Sequence, residues 1–288
     1  LGTKQDDDFD ESKWPKANPL WDSNPVLRQT VRALAAEAKA MPGKLGEFRI
    51  KRLNRQATAA KAMIDILKWK ACAGPQRLVL EELAGMRCWG AFDLSSTTDM
   101  AAWCQLFYDD ARWYPFVRYF VPREAARFRT ERRSAPYQGW IESGWVTVTE
   151  GDRVDYAVIR EQMLADVQVS NPLKIAYDPW NAQQLVTELT NEGLELEVFV
   201  QGPRSYHPAI QALDVAYCTG ALVHGGNPVL QWNAANLVPR YDVNLNMAPD
   251  KKRSADKIDG ICALLMALGL AIAETDDGSS GFFEDPIA

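Results

Sequence analysis

The pattern of apolar positions divides the chain into a helical first part and a second part in which strands and helices alternate. From residue 25 to about residue 70, apolar residues recur at the spacing of a helix. The dipeptide Gly74-Pro75 then interrupts the pattern. Beyond it, apolar runs joined by short polar turns predict three antiparallel strands, at residues 87–94, 100–108 and 115–121.

The rest of the pattern predicts further strands separated by helices. In order, the predicted elements are a hairpin near residues 145–149, a helix around 156–166, a strand at 173–178, a helix at 182–191, a strand at 196–200, a helix at 208–223, a hairpin within 238–247 and a final apolar helix. This order is that of a ribonuclease-H-like fold. We therefore predict an α/β domain with a mixed sheet flanked by helices, preceded by an N-terminal helical connector.

Composition sets the limits of the predicted domain. Residues 1–77 combine an acidic, irregular start with a helical linker, residues 78–275 form the α/β domain, and residues 276–288 are predicted to be a disordered tail. The longest uncharged apolar stretch, 260–273, is shorter than the roughly 18 residues that a membrane span needs. Without a signal-peptide pattern either, the sequence predicts a soluble protein that stays in the cytoplasm and has no membrane partner.

Cysteine and histidine usage narrows the kinds of site that are possible. The five cysteines are scattered without a C-x-x-C pair, and there are two histidines. This usage disfavours a zinc site and a disulfide framework, and it is typical of a reducing compartment. Any metal is therefore expected to have oxygen ligands, which favours Mg²⁺ or Mn²⁺.

Charge is unevenly distributed along the chain. The net charge is −6, but the acidic segments 1–12 and 274–288 account for −4 and −5, which leaves the middle of the chain basic. Basic residues cluster within 118–133 and at 251–253. Local basic clusters of this kind contact phosphate backbones, although a solvated surface explains either cluster equally well. The residues predicted to contact DNA are Arg127, Arg129, Arg132, Arg133, Lys251, Lys252 and Arg253.

Three aspartates lie where apolar segments meet turns or helix starts. Asp93 ends the first predicted strand, Asp178 ends the strand at 173–178, and Asp259 opens the terminal apolar helix. Each has an ordinary structural explanation when it is taken alone, as a turn residue or a helix cap. In a ribonuclease-H-like sheet these three places adjoin, so together they predict one acidic site.

Carboxylates gathered in this way repel one another unless cations lie between them. Two divalent cations about 3.5–4 Å apart are the arrangement used for phosphodiester hydrolysis. We predict that Asp93, Asp178 and Asp259 are the catalytic, metal-binding residues, with Asp93 bridging two Mg²⁺ or Mn²⁺ ions. Asp256 is a possible further ligand, although an N-cap role for it is the stronger interpretation.

Five stretches of sequence resemble the large terminase subunit of tailed bacteriophages. They are G-A-F-D-L-S-S-T-T-D-M-A-A-W around Asp93, Y-D-P-W-N-A around Asp178, K-K-R-S-A-D-K-I-D-G-I-C-A-L-L-M-A-L around Asp259, L-V-H-G-G-N-P-V-L-Q-W-N-A-A-N, and the early W-P-K-A-N-P. In that family an ATPase motor packages the genome and a ribonuclease-H-like nuclease cuts concatemeric DNA. The family's metal-binding aspartates correspond to Asp93, Asp178 and Asp259.

The resemblance implies that the sequence is one part of a larger DNA-packaging assembly. The sequence lacks G-x-x-x-x-G-K-[ST], so it corresponds to the nuclease and the connector that would follow the ATPase domain. The partners implied are double-stranded DNA, that ATPase domain in the same polypeptide, the small terminase subunit and the portal protein, in the host cell cytoplasm. The expected activity is a Mg²⁺- or Mn²⁺-dependent endonuclease with little sequence preference.

Two other functions stay open at this point. A resolvase or strand transferase would use the same fold and the same acidic site. A docking module that binds DNA or the portal would carry the site as a vestige. For the DNA contact, we also expect that reversing the charges of Lys251, Lys252 and Arg253 leaves metal binding at Asp93 unchanged.

Overall fold

The computed structural model describes residues 7–54, 63–94, 99–132, 135–180, 182–254 and 256–276. Apart from residue 276, the predicted disordered tail lies outside these ranges, as does Arg133. The helices are α1 Pro25–Ala40, α2 Pro42–Leu53, α3 Ile66–Ala71, α4 Arg123–Arg132, α5 Tyr137–Glu142, α6 Tyr156–Ser170, α7 Gln183–Asn191, α8 Pro203–Thr219, α9 Pro228–Asn236 and α10 Asp259–Asp276. Two 3₁₀ helices lie at Glu11–Lys16 and Leu80–Leu83.

A mixed sheet of six strands forms the centre of the described chain. Its strands are β1 Arg87–Asp93, β2 Ala101–Asp109, β3 Arg112–Pro122, β4 Val146–Thr149, β5 Ile175–Tyr177 and β6 Leu196–Val198, in the spatial order β4-β3-β2-β1-β5-β6. β2 pairs antiparallel with both β1 and β3. The other pairs are parallel: β4 with β3, β5 with β1, and β6 with β5. This is the predicted ribonuclease-H-like arrangement, and helices flank the sheet.

A separate hairpin stands beside this sheet. Its strands are β7 Pro239–Tyr241 and β8 Met247–Pro249, which pair antiparallel. The alternating apolar pattern of residues 238–247 predicted this hairpin correctly.

Helices cover both faces of the sheet. α8, α9 and α10 pack on one face, with Trp89 and Ala91 of β1 pointing towards them. α6 and α7 pack on the other face against Phe92 and Trp103. α10 is buried almost all round, which fits its nearly uniform apolar composition. Among the described helices, none is long and apolar enough to cross a membrane.

Close packing in the middle of the sheet depends on a glycine of β1. A Cβ added at Gly90 would lie 2.5 Å from the ring of Trp103 and 2.9 Å from the side chain of Ile175. Contacts this short force the neighbours to move. Gly90 therefore leaves room for the side chains of Trp103 and Ile175 on the face covered by α6.

Three predicted boundaries differ from the structure. The segment near residues 145–149 is not a hairpin, because β4 is a single edge strand that runs parallel to β3. α8 begins at Pro203, where proline suits a first helical turn, so Pro208 lies inside the helix. α8 ends at Thr219, because Gly220 adopts a positive φ of 77°. The prediction extends this helix to residue 223, before Gly225-Gly226.

The start of the chain is more ordered than the predicted irregular connector. The 3₁₀ helix Glu11–Lys16 buries Trp14, which packs edge-on against Trp21 and against Phe48 of α2. Together with apolar residues of α1, these side chains form a small core of their own. The aromatic residues of this segment therefore have a packing role.

Candidate functional site

Asp93 and Asp178 lie side by side at the carboxyl ends of two neighbouring parallel strands. Phe92 of β1 is in register with Tyr177 of β5, so the next residue of each chain is an aspartate. Phe92 and Tyr177 pack towards α6 and α7. Because side chains alternate between the faces of a sheet, the two aspartates point to the opposite face, which α10 covers.

Asp259 reaches the same place from the first turn of α10. The amide of Asn233 in α9 fixes this turn on both sides of Asp259. Its Nδ2 donates to the carbonyl oxygen of Lys257 at 2.9 Å, and its Oδ1 accepts from the N–H of Gly260 at 3.1 Å. Gly260 has no room for a Cβ, which would meet Tyr119 and Asn233. The start of α10 is therefore held tightly against β3 and α9.

Asp93 and Asp259 form a buried pair of like charges. They are 2% and 4% exposed, respectively. Burial, and then the charge of Asp93, raise the pKa of Asp259 to about 6. Among the described residues, Oδ2 of Asp259 has no hydrogen-bond partner. A buried carboxylate oxygen without a donor is costly, and a cation would satisfy it.

Asp178 is less enclosed than the other two aspartates. Its side chain is half-buried, and Oδ1 accepts a hydrogen bond of 3.1 Å from the N–H of Trp180 in the following turn. Asp178 and Asp93 both lie near the hydroxyl group of Tyr206 in α8. Burial first, and then nearby charges that include Asp93 and Asp178, raise the pKa of Tyr206. The structure therefore brings the three predicted aspartates to one edge of the sheet.

The aspartates do not by themselves form a finished ligand set. In the part of the chain that the structure describes, no group of three Asp, Glu, His or Cys side chains is arranged closely enough to hold a metal ion. The chemistry of the donors nevertheless suits a hard divalent cation, since they are all carboxylates and one of their oxygens is buried without a donor.

Lys251 contacts Asp93 directly. Its Nζ lies 2.9 Å from Oδ1 and 2.7 Å from Oδ2 of Asp93. Burial disfavours the charged amine, but the charges of Asp93 and Asp259 outweigh this and raise the pKa of Lys251. Lys251 is therefore part of the acidic site, and reversing its charge would act directly on Asp93. Its contact with DNA stays a prediction.

Gln201 is a second residue of the site that the sequence did not reveal. Its Nε2 donates to Oδ1 of Asp93 at 3.2 Å. Gln201 follows β6 at the same sheet edge at which Asp93 and Asp178 follow their strands. Its position after an apolar strand was therefore a usable signal.

A basic cavity opens beside Lys251. It has a volume of about 440 Å³ and is lined in part by Gln201, Arg240, Lys251, Lys252 and Arg253. The turn after β8 presents the last three of these, because Oδ1 of Asp250 accepts hydrogen bonds from the N–H groups of Lys252 and Arg253. Lys252 and Arg253 are exposed next to the aspartates, and their contact with DNA stays a prediction.

The arginines of α4 are placed differently from one another. Arg129 is 18% exposed and forms ion pairs with Asp99 at 2.6 Å and with Asp256 at 3.4 Å. Arg127 is exposed and paired with Glu124 of its own helix. Arg132 ends α4. Of the predicted DNA contacts in this cluster, Arg129 is thus already occupied by two carboxylates.

Asp256 and Lys257 belong to this same charged network. Oδ1 of Asp256 accepts a hydrogen bond from the N–H of Lys257, and the side chain of Lys257 is paired with Asp99. Because α10 begins at Asp259, Asp256 is not its N-cap, contrary to the stronger of the two interpretations. A metal-binding role for Asp256 is not supported by any contact with the three aspartates in the described residues.

Comparisons with known proteins agree with this geometry. A family model described as "Terminase large subunit, endonuclease domain" matches residues 3–275. The protein YmfN of Escherichia coli K12 is 31% identical over 97% of this chain and 64% of its own length. The large terminase subunit of Enterobacteria phage HK97 is 29% identical over 96% of this chain and 55% of its own length.

A solved structure shares the fold as well. The crystal structure of the HK97 bacteriophage large terminase superposes with a TM-score of 0.68 at 26% identity, covering 93% of this chain and 55% of that one. The chain thus spans little more than half the length of these HK97 relatives.

Proposed function

The chain belongs to the family of terminase large subunit endonuclease domains, and from this premise we propose that it hydrolyses phosphodiester bonds of double-stranded DNA with the help of divalent cations. The observation that carries the proposal is the buried Asp93–Asp259 pair, in which an oxygen of Asp259 lacks a donor among the described residues. Such an excess of buried negative charge suits cation binding far better than a purely structural role.

Each aspartate has a distinct part in the proposed site. Asp93 lies between its two partners, since it is in register beside Asp178 and interacts electrostatically with Asp259. It would therefore be the ligand that two ions share, with Asp178 and Asp259 each completing one position. When bound, Mg²⁺ or Mn²⁺ activates a water as nucleophile and stabilises the leaving oxygen. The chain's own task is to fix these carboxylates, which β1, β5 and α10 do from a buried core.

The basic cavity supplies a path for the DNA backbone. Arg240, Lys252 and Arg253 line it within the same surface as the acidic site. Contacts of such side chains with phosphates fix a duplex without reading its sequence. We accordingly expect little sequence preference, and binding that weakens steeply as salt rises.

The wider function follows from the family. The domain would cut concatemeric DNA as part of a packaging terminase, in company with an ATPase domain, a small terminase subunit and a portal protein. Because the chain spans little more than half of its HK97 relatives, these partners are proposals about a larger assembly.

A plasmid digest tests the proposal. Supercoiled plasmid is incubated with the protein and Mg²⁺, Mn²⁺, Ca²⁺ or EDTA, beside Asp93→Asn and the control Asp152→Asn, which changes an exposed carboxylate. We expect nicked and linear DNA with Mg²⁺ or Mn²⁺, none with EDTA, loss in Asp93→Asn and normal cutting in the control.

The same digest separates the two rival functions. DNA binding without cutting in any metal would point to a docking module, and joined strands in place of free ends would point to a strand transferase. Cutting that survives Asp93→Asn would remove this aspartate from the site.

A further inference from the structure

We propose that Lys251 is a built-in counter-cation, whose ammonium holds Asp93 in the metal-free protein and leaves it when a divalent cation binds. This inference rests on the proposed function of the site. It gives the lysine a regulatory role, because the ammonium and the metal compete for the same two carboxylate oxygens.

The geometry of the contact is that of a bound cation. Nζ of Lys251 lies within 2.7–2.9 Å of both oxygens of Asp93, so it spans the carboxylate. Asp93 has little other support, since Gln201 is the one further side chain that donates to it in the described part of the chain. Without Lys251, the charges of Asp93 and Asp259 would face each other in a buried place with no cation bound to Asp93.

Lys251 differs from the other lysine near the site. Lys257 also lowers the cost of the charge on Asp259, but its side chain is tied to Asp99. The ammonium of Lys251 is bound to the aspartate that we propose as the shared ligand. Lys251 is therefore in direct competition with a metal, whereas Lys257 contributes only its field.

The structure leaves Lys251 a place to go. Its side chain is 42% exposed and lines the basic cavity of about 440 Å³. The backbone around it is fixed, because Asp250 accepts hydrogen bonds from the N–H groups of Lys252 and Arg253, and its carbonyl oxygen accepts one from the Ser254 hydroxyl. Rotation of one flexible side chain is thus enough to clear Asp93, and the ammonium then faces the proposed DNA path.

Metal affinity measured by calorimetry with Mn²⁺ tests the competition. Lys251→Met should bind Mn²⁺ about five- to tenfold more tightly, the gain expected when a contact worth about 1–1.4 kcal/mol no longer has to be broken. Lys257→Met should gain less, because it removes a nearby charge without freeing Asp93. Lys174→Met breaks a pair with Glu197, away from the acidic site and just before β5, and should change nothing.

Lysine labelling on the unmodified protein tests the displacement itself. With acetic anhydride and mass spectrometry, the acetylation rate of Lys251 should rise severalfold when Mg²⁺ is added, relative to Lys174 in the same sample. This measurement also decides the case if Lys251→Met fails to fold.

The outcomes separate this inference from the proposed function. Unchanged or weaker Mn²⁺ binding by Lys251→Met, or labelling that ignores Mg²⁺, overturns the role of Lys251 even if the protein cuts DNA. Tighter binding in a protein that never cuts leaves the role of Lys251 intact and refutes the nuclease. A protein that binds no divalent cation refutes both.

Discussion

Two buried aspartates on opposite faces of the same sheet, Asp166 and Asp259, differ in what surrounds them. Asp166 of α6 is 2% exposed and accepts hydrogen bonds from Trp103, Gln105, Gln162 and, through two nitrogens, Arg118. Asp259 is 4% exposed, lies against Asp93, and keeps one oxygen without a donor among the described residues.

The difference shows that burial alone does not mark a functional carboxylate. A buried charge whose lone pairs are all satisfied stabilises the arrangement of its neighbours. A buried charge that is under-satisfied and placed near a like charge destabilises the protein until something binds it. Asp166 is therefore a structural anchor of α6 on the sheet, whereas Asp259 has the under-satisfied surroundings that led us to propose it as a metal ligand.

The largest effect is expected at the acidic site. Asp93→Asn should reduce DNA cutting by more than the roughly hundredfold that loss of an outer-shell partner costs, because a shared ligand is lost. The fold should survive, as judged by circular dichroism. Plasmid cleavage at saturating Mn²⁺ is the measurement. Near-normal cleavage would mean that Asp93 has a structural role, like Asp166.

Next in size is the loss of the anchor. Asp166→Ala should lower the free energy of unfolding by about 3–5 kcal/mol, because Arg118 and three further donors lose their acceptor. Denaturant titration measures this, with Asp152→Ala as the exposed control. Mn²⁺ affinity of the folded fraction should not change. A loss below 1 kcal/mol would mean that the Asp166 network contributes little.

Asp259→Asn should act in the opposite direction on stability. Since the folded state raises the pKa of Asp259 to about 6, its contribution to stability is complete below pH 4 and is lost as pH rises through 6. In EDTA at pH 8 the asparagine variant should therefore be more stable than the parent, by up to about 3 kcal/mol. Thermal melts at pH 4 and pH 8 measure the difference, and an equal change at both values would contradict the assignment.

The smallest effect is expected at Asn233, which positions Asp259 without contacting a reacting atom. Asn233→Ala removes both hydrogen bonds around Asp259 and should weaken Mn²⁺ binding about tenfold, in the range found for outer-shell partners. Asn236→Ala, in the same helix, is the matched control. If the two variants bind Mn²⁺ alike, Asn233 is a packing residue only.

The sequence predicted the parts of the site that depend on strand ends. Asp93 and Asp178 follow apolar runs, and the carboxyl ends of parallel neighbours meet at one edge of a sheet. Asp259 was found because it opens the most apolar helix. The fold was predicted for the same reason, as long apolar runs determine strands and helices with little dependence on context.

The parts that failed depend on side-chain direction and on short elements. Lys251 lies 158 residues from Asp93 in sequence, and its contact with that aspartate depends on the turn after β8, which no local pattern predicts. β4 has four residues and pairs in parallel, so its local pattern was indistinguishable from a hairpin arm. Asn233 gave no signal, because its role depends on where α9 meets α10.

The burial of α10 has a consequence for how the protein loses activity on heating. Asp259 opens a helix that fills the core between the sheet and α8, so its backbone amides can exchange with solvent only when the whole domain opens. Lys251 is 42% exposed, and its side chain can rotate without such an opening. The proposed nuclease activity should thus persist up to the temperature at which the domain itself melts. The rotation that we propose for the Lys251 side chain needs no unfolding and should take place on a far faster timescale.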